Sequence, residues 1–134
     1  MTDNYEAGMK VRRAILGDAH VDRSISRTNA TNREFQDFIT RFGWGEIWTR
    51  PGLDHRTRRI LVMGTMVALG RWEELRMHLR AALEGQMSIE DIKELLLQQS
   101  IYCGFPAANT AFHHLEEVIA ELKGRGVTIT GLEG

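Results

Sequence analysis

The chain has one cysteine, Cys103, in 134 residues. That excludes an intrachain disulfide and any thiolate metal cluster within one chain. Only two prolines occur, Pro51 and Pro106, so few positions forbid a helix. Long hydrophobic runs are missing. The longest nearly apolar stretch, Ile60 to Leu69, is about half of what a membrane span needs. The N-terminal residues lack the basic start and apolar core of a secretory leader. These features predict a cytoplasmic protein with no membrane partner. Charge of one sign is lacking as well: the formal net charge is −1, which gives no case for a nucleic-acid partner. The sequence contains no glycine-rich phosphate loop, no Gly-x-Ser-x-Gly and no His-Glu-x-x-His. Runs of alternating polarity are absent too, which excludes a parallel-sheet enzyme.

What is there reads as helix. The length fits a single domain over 1–134, and apolar residues recur at i, i+3 and i+4. The expected architecture is an all-α bundle of about six helices, with an N-terminal helix and polar stretch over 1–30, a core over 31–124 and a tail over 125–134. The first helix runs from Asn4 to Leu16 and stops at Gly17, and a polar stretch, Asp18 to Ala30, follows. Thr31-Asn-Arg-Glu34 has the pattern of a capping box. It opens a helix that carries Phe35, Phe38, Ile39 and Phe42 and ends near Gly43. Trp44-Gly-Glu-Ile-Trp48 then leads into the turn signal Arg50-Pro-Gly52. Asp54 caps a third helix, His55 to Leu69, apolar around most of its girth and therefore suited to the centre of a fold or an oligomer interface. Gly70 separates it from a helix over Trp72–Leu83 that ends at Gly85. Ser88 caps a fifth helix reaching Cys103. Gly104 and Pro106 break it, and Ala107 to Lys123 forms the last. The tail has no helical pattern, and it frays or reaches a neighbouring subunit.

The Trp72–Leu83 helix carries the chemistry. Its apolar stripe is Trp72, Leu75, Leu79, Ala82 and Leu83. Beside the stripe, Glu74 and His78 are four residues apart, which puts a carboxylate and an imidazole on one helix face. An ordinary solvated ion pair has the same spacing. Residues 50–80 hold seven arginines against three acidic residues, a local cationic patch of the residue best shaped for carboxylate or phosphate. Solvated faces and inter-subunit ion pairs would also use such a patch.

From Arg71 to Phe112 the chain resembles the carboxymuconolactone decarboxylase family. The matching stretches are Glu74-Leu-Arg-Met-His-Leu-Arg-Ala-Ala-Leu83 and the run from Ser88 to Phe112, with Tyr102-Cys-Gly-Phe-Pro-Ala-Ala-Asn109 its specific segment. Arg50-Pro-Gly-Leu-Asp54 and Asn32-Arg-Glu-Phe-Gln36 extend the match, which covers roughly residues 5–125. The resemblance implies an all-helical, alkylhydroperoxidase D-like fold assembled as a homo-oligomeric ring, usually of six subunits. The implied activity is cofactor-independent decarboxylation of a butenolide dicarboxylate to 3-oxoadipate enol-lactone in protocatechuate catabolism. The same superfamily contains thiol peroxidases with Cys-x-x-Cys-x-x-x-His. The corresponding positions here are Arg71, Glu74 and His78, so both thiols are absent while the histidine remains.

On that reading His78 delivers a proton, because imidazole titrates near neutral pH, and Glu74 orients it. One of Arg50, Arg58, Arg59, Arg76 and Arg80 binds the remote carboxylate; spacing does not choose among them, and the others pair with glutamates. Tyr102 and Cys103 stand before the Gly-Phe-Pro break, where they could line the pocket, although a lone helical cysteine is more often a small buried hydrophobe. No metal or organic cofactor is expected, and no spacing supports a metal site from His55, His78 and His113 or His114. Trp44 and Trp48 read as core or interface anchors. Two other readings stay open: a thiol-dependent peroxidase working through Cys103, and a non-catalytic helical assembly.

Overall fold

The computed structural model describes residues 4–85 and 87–132; residues 1–3 of the N-terminal stretch and the last two of the tail lie outside them. Among the described residues, seven α-helices and one π-helix account for the regular structure. They fall into two compact units, residues 1–55 and residues 56–134.

Unit 1 begins with α1 (Asn4–Leu16). Gly17, at φ 88°, lets the chain turn without the penalty a side chain would meet there. The polar stretch after it, to which the sequence reading assigned no helix, forms a second one, α2 (Asp18–Ser26). Only Val21 of α2 is buried, so it offers almost no apolar periodicity to read. Ion pairs hold it instead: Arg13 reaches Asp18 at 3.0 Å and Asp22 at 2.8 Å.

The expected capping box at Thr31 does not form. Asn29 Oδ1 accepts from the amides of Thr31 and Asn32, and Asn32 Oδ1 accepts from the amide of Asn29. This asparagine turn feeds α3 (Arg33–Phe38). The chain then winds as a π-helix over Ile39–Ile47, where an ordinary helix ending at Gly43 was expected. The winding brings Gly45 against Gly8 of α1, where a Cβ on Gly8 would stand 2.0 Å from the Thr40 carbonyl oxygen. The Trp44 and Trp48 rings meet at a tilt of 35°, centroids 4.8 Å apart.

Unit 2 packs α4 (His55–Leu69), α5 (Trp72–Glu84), α6 (Ile89–Cys103) and α7 (Phe105–Gly124). Met63 and Val67 of α4, Leu75 and Leu79 of α5, Ile92 and Leu96 of α6, and Leu115, Val118 and Leu122 of α7 form the core. Ser88 and Asp91 make the expected capping box at the start of α6. Arg56 of α4 donates to Asp91 at 2.6 Å, which joins the starts of α4 and α6. Gly104, at φ 94°, turns α6 into α7. The described part of the tail, expected to fray or to reach a neighbouring subunit, packs within its own unit: Ile129 is buried and the Ile89 amide donates to the Thr130 carbonyl at 2.9 Å. Its anchors, Val127, Ile129 and Leu132, join the core one at a time, a pattern that shows no period.

Among the described residues no helix is long and apolar enough to cross a membrane.

Candidate active site

Burial singles out two polar side chains among the described residues of unit 2, Arg59 and His78. The rest of its core is apolar. His78 is 7% exposed. It lies inside the apolar stripe of α5, three residues after Leu75 and four before Ala82, both fully buried. Glu74 is exposed and stands at the solvent edge of the same helix. The four-residue spacing puts the two side chains on one side of α5, but burial separates them. The described hydrogen bonds include none between Glu74 and His78.

Arg59 of α4 is 4% exposed. Burial lowers its pKa below the ordinary guanidinium value. Its Nη2 lies 3.6 Å from the point where a Cβ on Gly85 would stand, beside the C-terminal carbonyls of α5. A helix C-terminus carries partial negative charge, which favours a cation there. Arg59 and His78 are thus both buried along α5.

The other candidate arginines are placed differently. Arg76 Nη1 donates to Glu117 at 2.5 Å and to His114 Nδ1 at 3.0 Å, and the His114 ring stacks on Trp72 at 5.5 Å. Arg80 grips Glu121 through Nε at 2.5 Å and Nη2 at 3.1 Å. That bidentate contact pulls the Glu121 carboxyl pKa below its usual value. Arg76 and Arg80 therefore tie α5 to α7. Arg58 is half-buried on α4, and Arg50 is exposed in unit 1. Tyr102 is exposed. Cys103 is half-buried and receives Gln99 Nε2 at 3.6 Å, which also donates to the Gly64 carbonyl at 3.0 Å. Among the described residues no group of three His, Cys, Asp or Glu side chains is placed to hold a metal ion.

Among the described residues two buried polar residues, both in unit 1, escaped the sequence reading: Arg12 of α1, 5% exposed, and Thr40 of the π-helix. The signal for Arg12 was available: Gly8, Arg12 and Ile15 follow the i, i+4, i+7 spacing of a buried stripe, and an arginine on such a stripe needs polar partners inside the fold.

The profile of the carboxymuconolactone decarboxylase family matches residues 33–117. The chain is 48% identical to a 4-carboxymuconolactone decarboxylase of Acinetobacter baylyi, over 88% of each chain. It is 31% identical to a nitrosuccinic acid decarboxylase of Metarhizium robertsii, over 91% of this chain and 85% of that one. A 4-carboxymuconolactone decarboxylase sequence from Pseudomonas putida is 60% identical over 42 residues, 31% of this chain and 88% of the relative.

Proposed function

Because the chain belongs to the carboxymuconolactone decarboxylase family, we propose that it converts 4-carboxymuconolactone to 3-oxoadipate enol-lactone and carbon dioxide. The observation that carries this reading is the 48% identity to a relative of that name over 88% of both chains. The chain is a decarboxylase of aromatic catabolism.

The chemistry asks little of a cofactor. The C–C bond between the ring carbon and its carboxylate breaks, and the electron pair flows through the ring double bond to the lactone carbonyl oxygen. The anion is a furan-2-olate, stabilised by aromaticity. One proton added at the carbon alpha to the carbonyl then gives the enol-lactone. The substrate is its own electron sink. The protein must seat the second carboxylate, favour the oxyanion and supply the proton.

His78 is assigned the proton. Its burial in the α5 stripe fixes the ring and excludes bulk water, and an imidazole is a ready acid near neutral pH. Glu74, one turn earlier, is assigned to steer the imidazole once substrate is bound, since catalytic hydrogen bonds often tighten only in the complex. Arg59 is assigned the second carboxylate. It is buried along the same helix, where a charge-assisted hydrogen bond is strongest, whereas Arg76 and Arg80 already carry α7 carboxylates. The reading is tested by mixing freshly generated lactone with metal-stripped protein and following carbon dioxide. Rapid stoichiometric release is expected; no release by folded protein would overturn it.

The active form is proposed to be a homo-oligomer, a hexamer by family precedent. Leu61 and Leu69 of α4 and Leu97 and Ile101 of α6 are all at least half exposed. They flank an open groove of ≈ 390 Å³ between α4 and α6. Exposed apolar side chains gathered on one face support association there. The double variant Leu69→Asp/Ile101→Asp is expected to shift the sedimenting species to lower mass. An unchanged sedimentation coefficient would remove this face from the assembly.

A further inference from the structure

We propose that unit 1 contains a site for a small organic carboxylate, seated on Arg12 and Arg33 in the cavity bounded by α1, α2, α3 and the π-helix. The inference goes beyond the decarboxylase reading and does not depend on it.

Arg12 is a buried cation whose partners are all neutral. Nη1 donates to Thr40 Oγ1 at 3.3 Å, and Nη2 to Ser24 Oγ at 2.9 Å and Gln36 Oε1 at 3.1 Å. Its Nε is buried with no hydrogen-bond partner. Buried charges are ordinarily matched by an opposite charge, because desolvation otherwise goes uncompensated. The same imbalance pulls the Arg12 pKa down through burial. The carboxylates nearby are committed elsewhere. Asp18 and Asp22 hold Arg13. Asp37, which lines the cavity, accepts from Arg41 Nε at 2.8 Å.

The cavity beside Arg12 has a volume of ≈ 180 Å³, well above the roughly 15 Å³ that one water needs. Arg33 lines it as a second guanidinium, together with the hydroxyl-bearing Thr28 and Thr40. Among the described ion pairs Arg33 has none. Two guanidiniums facing one cavity, against a single carboxylate already paired, leave a net positive pocket. A guanidinium edge presents parallel N–H donors that match the two oxygens of a carboxylate. Met9 and Ile25 supply apolar wall, which suits a short carbon skeleton and offers nothing to a fully polar oxyanion such as phosphate. The ligand class is therefore a small mono- or dicarboxylate rather than an inorganic anion.

The test titrates succinate, and separately orthophosphate, into full-length protein at fixed ionic strength, followed by calorimetry and amide chemical shifts. Saturable 1:1 succinate binding is expected, with shifts in α1 and α3, and orthophosphate should bind at least tenfold more weakly. Arg33→Gln, at an exposed position, should weaken succinate about tenfold by removing a charge-assisted contact. Arg12→Lys should weaken it further; if that variant fails to fold, Arg33→Gln decides alone. His78→Ala should bind succinate as the wild type does. No saturable succinate binding, wild-type affinity in Arg33→Gln, equal affinity for orthophosphate, or loss of binding in His78→Ala would each overturn the proposal. A protein that binds succinate in this pattern but releases no carbon dioxide from the lactone would sink the decarboxylase reading and leave this site standing.

Discussion

Alanine at position 78 is expected to lower kcat for 4-carboxymuconolactone by two orders of magnitude or more, the usual contribution of a positioned general acid. KM should move far less, because the proton is delivered after the lactone has bound. The loss has a competing explanation, since His78 is buried in the α5 stripe and truncation leaves a void between Leu75 and Ala82. His78→Gln separates the two. It fills most of the space and keeps a hydrogen-bonding group, but it does not titrate. Both variants should show a cooperative thermal transition, and both should be slow. A folded His78→Gln with near wild-type turnover would remove the imidazole from the chemistry. Glu74→Gln should give a smaller fall, confined to kcat, because an exposed residue that steers the imidazole contributes only in the bound state.

Gly8→Ala is expected to destabilise unit 1 by about 2–3 kcal/mol, against the direction of helix propensity. Propensity alone favours alanine over glycine in a helix interior by about 1 kcal/mol. The tertiary structure reverses the sign. A Cβ at position 8 would sit 2.0 Å from the Thr40 carbonyl oxygen and 2.8 Å from the Gly45 amide nitrogen. Both are backbone atoms, which no rotamer change can move. Overpacking typically costs about 1–3 kcal/mol, and a backbone clash belongs at the top of that range. Gly45→Ala meets the reciprocal obstacle, the Asn4 carbonyl oxygen at 2.4 Å. Either variant should lower Tm by roughly 5–10 °C in calorimetry. An unchanged or raised Tm would show that α1 and the π-helix separate at little cost.

The crossing at Gly8 and Gly45 also marks where sequence reading ran out. A π-helix binds i to i+5, as Trp48 does to Gly43 at 3.0 Å, and no local residue preference writes that pattern. It persists because α1 packs against it. The helix α2 was hidden for a related reason: one buried residue, Val21, leaves no stripe, and its anchors on Arg13 are contacts between neighbouring helices. The candidate site was half legible. Spacing put Glu74 and His78 forward as equals, whereas in the folded unit His78 is buried and Glu74 exposed. Of five arginines read as interchangeable, two hold carboxylates 41 residues away on α7, a pairing that needs the helices side by side.

What the sequence by itself determined is the all-helical class and the limits of α4 to α6; α7 starts at Phe105, two residues before the expected Ala107, because Pro106 fits its first turn instead of breaking it. The class and those limits follow from local physics: Gly70 and Gly104 at positive φ, Ser88 capping α6, and apolar spacing at the helical period. What only the tertiary structure decided is which polar side chains go inside. Arg12, Arg59 and His78 are buried because neighbouring helices close over them, and that closure, rather than any feature of their own helices, takes them out of water.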